Sequence, residues 1–185
     1  MSLLDIRVLG DPVLRQETNV VTEVTAELHR LVDDMFETMY AARGIGLAAN
    51  QVGRLERLTV VDVDNAPLVV INPSILQAEG RQKGEEGCLS IPEIYGDVER
   101  AQRVLVRAQD ITGAPYEVDA TDLLARCLQH EIDHLHGRLF IDYLSVVKRR
   151  AALAKWDKQR QGDRSLVRTI EPEKEGSRRR SDEEL

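Results

Sequence analysis

Leu123-Leu124-Ala125-Arg126-Cys127-Leu128-Gln129-His130-Glu131-Ile132-Asp133-His134-Leu135-His136-Gly137 is the stretch on which the rest of the chain depends. It reads as a helix and holds the pentad H-E-x-x-H at 130–134. Residues i and i+4 lie one turn apart on the same helical face, so His130 and His134 can aim both imidazoles at one point. Glu131 sits beside them. Two nitrogen ligands and a carboxylate able to take a proton from an attacking water are what a hydrolytic metal site needs. A pentad with three fixed positions also arises by chance on a solvated helix, so its meaning depends on a third ligand.

Working outward, Thr121 is placed to cap this helix, with Asp122 in its first turn, and Gly137 ends it. Downstream come the short apolar run Leu139-Phe140-Ile141 and a basic helix expected from Tyr143 to about Arg160. Beyond Gly162 the chain is polar and charged, and a loosely ordered tail is expected over 161–185, leaving 1–160 as one catalytic domain. Upstream the pattern is mostly β. Strands are expected at Leu58–Val63 and Leu68–Ile71 around an Asp64-Asn65-Ala66-Pro67 turn, with Asn72-Pro73 closing the second. A charged, glycine-rich loop follows at Gly80–Gly87, then a long β run from Asp97 to Gln109 and a strand at Tyr116–Val118. Near the N-terminus, Leu28, Leu31, Val32, Met35, Phe36 and Met39 form one apolar stripe on a helix from Thr25 to about Ala42, which Gly44 stops. His29 falls off the stripe and reads as a surface residue.

Composition narrows the class. A chain of 185 residues with 42% hydrophobic content can bury a core without staples. The net charge of -7 argues against sequence-specific nucleic-acid binding. It hides an asymmetry, because from Lys148 onward 12 Lys/Arg face 8 Asp/Glu, leaving the body before it acidic. No apolar run is long enough to span a membrane, and Met1–Arg7 lacks a basic segment followed by an apolar core. Two cysteines, Cys88 and Cys127, suit a reducing compartment, so the cytoplasm is expected.

The third ligand can be sought by elimination. A metzincin would carry histidine where Phe140 stands and a methionine turn, yet no methionine follows Met39. A downstream glutamate ligand is missing too, since none occurs between Glu131 and Glu171. His136 faces away from His134. The search turns upstream, where Cys88 is the strongest candidate. Cys127 competes from the helix itself, but one turn from His130 it would crowd the cage and reads better as a small apolar pocket residue.

Three segments now carry a resemblance. Gly44-Ile45-Gly46-Leu47-Ala48-Ala49-Asn50-Gln51, Glu86-Gly87-Cys88-Leu89-Ser90 and His130-Glu131-Ile132-Asp133-His134 resemble, in order, the three motifs of peptide deformylases, with Asn50 at the variable position of the first. The likeness runs from Asp11-Pro12 through Phe140-Ile141-Asp142. It implies an α+β fold of antiparallel sheets surrounding a central helix that carries the metal histidines, with a C-terminal helix. It implies an enzyme that removes the formyl group from the N-terminal methionine of newly made proteins and releases formate.

The same resemblance implies the site. Cys88, His130 and His134 would hold one divalent metal, ferrous iron foremost, though this donor set also accepts Zn2+, Ni2+ or Co2+. Glu131 would move the proton, and Gln51 with the Leu89 N–H would stabilise the oxyanion. Asp133 would orient a ligand histidine or anchor the helix. The substrate would lie as an added strand between Ile45-Gly46 and Glu86-Gly87, with methionine in a pocket walled by Leu123, Cys127 and His130. Two positions depart from the family pattern: Arg126 where some relatives are apolar, and Tyr95 where some carry arginine. They bear on the pocket lining and entrance. The family also suggests ribosome docking for the C-terminal helix, against the plainer reading of a solvated helix packed through Leu144, Val147 and Leu153. The remaining alternatives are a metallopeptidase cutting internal bonds and a non-catalytic binder of metal or nascent chains. Intact Glu131 and Gln51 argue against the binder.

Overall fold

A computed structural model describes residues 2–171. The short strand β1 (Ile6–Arg7) is followed by helix α1 (Ala26–Ala41), strand β2 (Gly46–Ala48) and a 3-10 turn at Ala49–Val52. Strands β3 (Leu58–Val63), β4 (Ala66–Glu79), β5 (Gln82–Cys88), β6 (Ile91–Arg100), β7 (Arg103–Gln109) and β8 (Pro115–Thr121) come next. Helices α2 (Asp122–Leu135) and α3 (Val146–Arg160) and strand β9 (Val167–Arg168) complete the described chain. The main sheet is antiparallel in the order β2-β3-β4-β7-β8, while β5-β6 and β1-β9 form two-stranded antiparallel pairs. The fold is α+β, as expected, with α2 at its centre.

Strand β3 shows why. Its sequence Leu-Thr-Val-Val-Asp-Val is buried almost throughout, because helices cover both faces of the sheet here. Leu58 and Val60 join the α1 stripe of Leu28, Leu31, Val32, Met35 and Met39. Val61 and Val63 face the other way, onto Ala125, Leu128 and Ile132 of α2. Thr59 shares that second face, which brings a hydroxyl into the interior beside the pentad. A third cluster, built on Ile91, Ile94, Phe140 and Trp156, seats α3 against β6.

Several local expectations are corrected. Asn72-Pro73 does not end a strand: β4 runs on to Glu79 through a register shift between Ile71 and Ser74. Asn72 takes a positive φ of 51° there, and its side-chain amide bonds Val21 through both backbone groups. The pair is a bulge, not a stop. The expected loop at Gly80–Gly87 is largely strand β5, hairpinned to β6 through Leu89-Ser90. Its glycines leave room for neighbours, with Arg126 packed over Gly84 and Tyr95 over Gly87. The β run expected from Asp97 to Gln109 divides at Ala101-Gln102 into β6 and β7. Thr121 is the N-cap residue of α2, but its side chain makes no capping bond. After α1 the left-handed residue is Arg43 (φ 57°), while Gly44 stays small to admit the Leu89 side chain. The basic helix begins at Val146, capped by the Ser145 side chain, after a 3-10 turn at Phe140–Tyr143. Part of the expected tail is built into the fold, since β9 pairs with β1 and Ile170 is buried beside α1. The rest of that tail, 172–185, lies outside the described residues.

The end of α2 is held by a backbone approach that only glycine permits. Gly137 has φ 69°, and a Cβ there would lie 2.5 Å from the Arg15 carbonyl oxygen. Arg15 returns the contact by donating to the Gly137 carbonyl and gripping the Asp142 carboxylate with both Nη atoms, at 2.6 and 3.1 Å.

Gly137→Ala should therefore destabilise the protein by about 2 kcal/mol or more, combining left-handed strain with a backbone clash. Urea unfolding is the measurement, and a loss under about 0.5 kcal/mol would contradict this account of the helix end. Burial pushes the Asp142 carboxyl up, but Arg15, the Leu139 N–H and Arg149 pull harder, leaving it below its usual range. A depressed carboxylate contributes stability above its unfolded pKa and loses it as pH falls through the folded value. Asp142→Asn should thus unfold with a shallower dependence on pH below about 4 than the parent.

Candidate functional site

Three elements deliver the side chains singled out above. Helix α2 presents His130 and His134 from successive turns, as their spacing requires. The β5-β6 turn brings in Cys88, and the turn after β2 brings in Gln51. The Cys88 Sγ lies 3.3 Å from His134 Nε2, and the two histidine Nε2 atoms are 3.2 Å apart. All three donor atoms fall within 4.8 Å of one another. A tetrahedral ion with M–S of about 2.3 Å and M–N of about 2.0–2.1 Å separates its ligands by roughly 3.3–3.6 Å. The triangle is the size to hold one such ion. Cys127, the competitor for the third place, lies elsewhere, buried with its Sγ 3.5 Å from the Ile45 carbonyl oxygen.

Glu131 is 4% exposed and stands beside this triangle, with Thr59 Oγ1 3.5 Å from its Oε2. Gly46 passes directly over it, and a Cβ at that position would sit 2.3 Å from Glu131 Oε1. The glycine is there because the carboxylate needs the space. Burial raises the Glu131 carboxyl to about 7, countered in part by His130 and the Thr59 hydroxyl. Gln51 accepts from the Ala48 N–H at 2.8 Å, which directs its amide nitrogen toward Ser90 Oγ (3.1 Å) and Cys88 Sγ (3.5 Å). Leu89, between those two residues, lines the cleft and packs its side chain against Gly44.

Glu86 lines the same cleft, but its carboxylate is committed inward. It accepts from Arg100 Nε and Nη2 at 2.9 and 3.0 Å, from Arg126 Nη1 at 2.8 Å, and lies 2.9 Å from His130 Nδ1. The His130 contact leaves Nε2 of that ring facing Cys88 and His134. Burial opposes ionisation of Glu86, yet His130 and Arg100 hold it down to about 2. Burial likewise depresses His130, but Cys88 and Glu86 outweigh it and pull the imidazole up; His134 is pushed down by burial and by the neighbouring His130 and Arg100. Arg100 also bonds Asp133, which accepts from the Tyr143 hydroxyl at 2.8 Å. Of the two roles open to Asp133, anchoring the helix is the one its contacts serve.

This network was not legible in advance. Thr59 falls outside the three motifs, and Ser90 and Asn50 stand within them with no role assigned; Asn50 is fully buried and donates its amide to the His134 carbonyl. A polar residue inside an apolar run was the available signal for Thr59 and Asn50. Arg126 spans from Glu86 to the carbonyls of Val98 and Gln82 at 3.0 and 3.1 Å, so its departure from the family pattern reinforces the hairpin. Tyr95 stands 60% exposed over Gly87 at the cleft mouth.

The cleft itself, of about 480 Å³, runs between Gly44-Ile45-Gly46 and the Glu85–Leu89 stretch of the β5-β6 hairpin. Leu123 lies on its outer wall, 50% exposed, with Cys127 and His130 deeper. β2 is the terminal strand of the main sheet, and β5 pairs only with β6 among the described residues. The gap is thus bounded by two unpaired strand edges, which can accept an extended peptide.

Comparison with known proteins agrees. The family model described as polypeptide deformylase matches residues 3–150. A peptide deformylase of Alkalilimnicola ehrlichii is 53% identical over 162 residues, 85% of this chain and 91% of the relative. A crystal structure of a peptide deformylase from Legionella pneumophila superposes with a TM-score of 0.84 at 45% identity, covering 86% of this chain and 96% of that one. A Synechococcus elongatus peptide deformylase in complex with actinonin gives 0.79 at 47% identity, covering 82% and 85%. With the Cys-His-His triangle, the neighbouring glutamate and these matches together, the chain belongs to the polypeptide deformylase family.

Proposed function

We propose that this protein removes the N-terminal formyl group from formyl-methionyl chains emerging from synthesis, releasing formate. The observation that carries the reading is the Cys88–His130–His134 triangle with Glu131 beside it, on the floor of a cleft edged by two unpaired strands. Cys88, His130 and His134 would hold one divalent metal, which supplies Lewis acidity at the formyl carbonyl and an acidified water. We assign it as ferrous iron on the mixed thiolate–imidazole set, with zinc, nickel and cobalt as the other ions the donors accept.

The remaining work falls to the chain. Glu131, buried and raised to about 7, takes the proton of the attacking water and passes it to the departing amine. The Gln51 amide and the Leu89 N–H stabilise the oxyanion, Gln51 being held for this by its bond from Ala48. Glu86 fixes the His130 ring by the contact at Nδ1. The backbones of Ile45, Gly46 and Gly87 pair with the extended substrate, and methionine enters beside Leu123, Cys127 and His130. Pairing through backbone leaves the sequence beyond methionine weakly specified. Among the described residues no helix is long and apolar enough to cross a membrane. We place the enzyme in the cytoplasm, with the basic α3 as a candidate ribosome-docking element, and treat the described chain through Ile170 as one catalytic unit.

Glu131→Gln should bind metal as the parent does but lose at least about 100-fold in formate release from a formyl-methionyl tripeptide. If both proteins are inert toward that peptide and casein is cut internally, the enzyme is a peptidase. Metal binding with no hydrolysis of either substrate would make it a binder. Glu86→Gln should weaken metal retention by about 10- to 100-fold in chelator competition, because the His130 ring loses its anchor. Protein purified without oxygen should contain iron and lose activity in air as iron and Cys88 oxidise. Zinc alone, with no gain on iron reconstitution, would overturn the assignment of the metal.

A further inference from the structure

The cleft wall continues beyond the three motifs. Arg168, on β9, lines it together with Ala42 and Arg43. This arginine lies outside the 3–150 stretch that the family model matches. It is carried to the cleft by the antiparallel pairing of Ile6 with Arg168 and Arg7 with Val167, and by burial of Ile170 against α1. It is half-buried, and among the described residues its guanidinium has no ion-pair or hydrogen-bond partner. The other charges on the wall are Arg43, which already has a partner, and a group on α2 and the β5-β6 hairpin. Glu86 and Arg126 neutralise each other, Glu131 is at the reacting centre, and Glu85 and Glu93 belong to the β5-β6 hairpin.

The direction of the substrate follows from the same wall. Gly46 touches Glu131, so the formyl end of an extended peptide lies there. From Gly46 back through Ile45 and Gly44 to Arg43, where the chain turns at φ 57°, is three residues, at most about 10 Å. A peptide laid along this edge away from Glu131 therefore brings its third or fourth residue beside Arg43 and Arg168.

We propose that Arg168 is a specificity-determining residue that favours an acidic side chain at the third or fourth position of the formyl-methionyl substrate. This rests on the deformylase reading above. A half-buried arginine at a solvent-filled cleft gains modestly from one carboxylate, so the preference should be about two- to five-fold and sensitive to salt.

The test uses two series of C-terminally amidated tetrapeptides, formyl-Met-Ala-X-Ala and formyl-Met-Ala-Ala-X, with X as Asp, Asn or Lys. At low salt the parent should show a kcat/KM about two- to five-fold higher for Asp than for Asn in at least one series. The difference should lie mainly in KM, because the contact is remote from the reacting atoms. High salt should erase it. Arg168→Gln should abolish the Asp preference, and Arg168→Glu should reverse the order of Asp and Lys. Equal rates across X in the parent would overturn the proposal while leaving deformylation standing. So would a preference that survives Arg168→Glu, or one that follows Arg43→Gln instead. No formate from any of the peptides would overturn the deformylase reading and this proposal with it.

Discussion

A single buried carboxylate, Glu86, ties the catalytic centre to the scaffold. Arg100, Arg126 and His130 all converge on it, and Arg100 passes the connection on to Asp133 of the pentad. Charges this deep are costly to desolvate and persist only when each is matched and hydrogen-bonded. Here the matching is divided among the β5-β6 hairpin and two turns of α2. The hairpin that supplies Cys88 and the helix that supplies the histidines are locked to each other by the same ions that orient a histidine ring. Relative position within the triangle is thus set by salt bridges and not by apolar packing alone, which fixes distance less sharply.

The sheet supplies what the ions cannot. Helices cover both faces of β3, so its alternation places Leu58 and Val60 against α1, and Thr59 and Val61 toward α2. A polar side chain on the second face is then inside the site by parity alone. Gly46, on the neighbouring strand, is the counterpart: it removes bulk where Thr59 adds a hydroxyl, and Glu131 occupies the room between them.

Much of this could be read from the chain beforehand, for identifiable reasons. The i, i+4 histidines and the apolar stripe of α1 are periodic features, and helix geometry is nearly independent of context. Cys88 emerged from what the downstream chain lacks. Strand limits were read less well. Asn72-Pro73 looked like a terminator and is a bulge, because Asn72 tolerates a positive φ and its side chain ties the irregular backbone to Val21 and Gln109. The Gly80–Gly87 stretch looked like a loop because its glycines suit open turns equally well. Their actual purpose, admitting Arg126 and Tyr95, depends on residues distant in sequence. The Glu86–Arg100–Arg126 cluster was hidden for the same reason. No local pattern distinguishes a charge that will be buried against a partner forty residues away from one left in water.

The pairing of β1 with β9 has a consequence for how the molecule comes into being. Ile6 and Arg7 precede every α-helix of the described chain, yet their strand partners Val167 and Arg168 follow every one. Contacts that span nearly the whole chain are the slowest to form, because the loop between them must first be ordered. Cys88, His130 and His134 all precede β9 in the chain and take no part in that pairing. The wall that Arg168 adds to the cleft closes only when these two strands meet. The donor set can thus form before the cleft around it is complete.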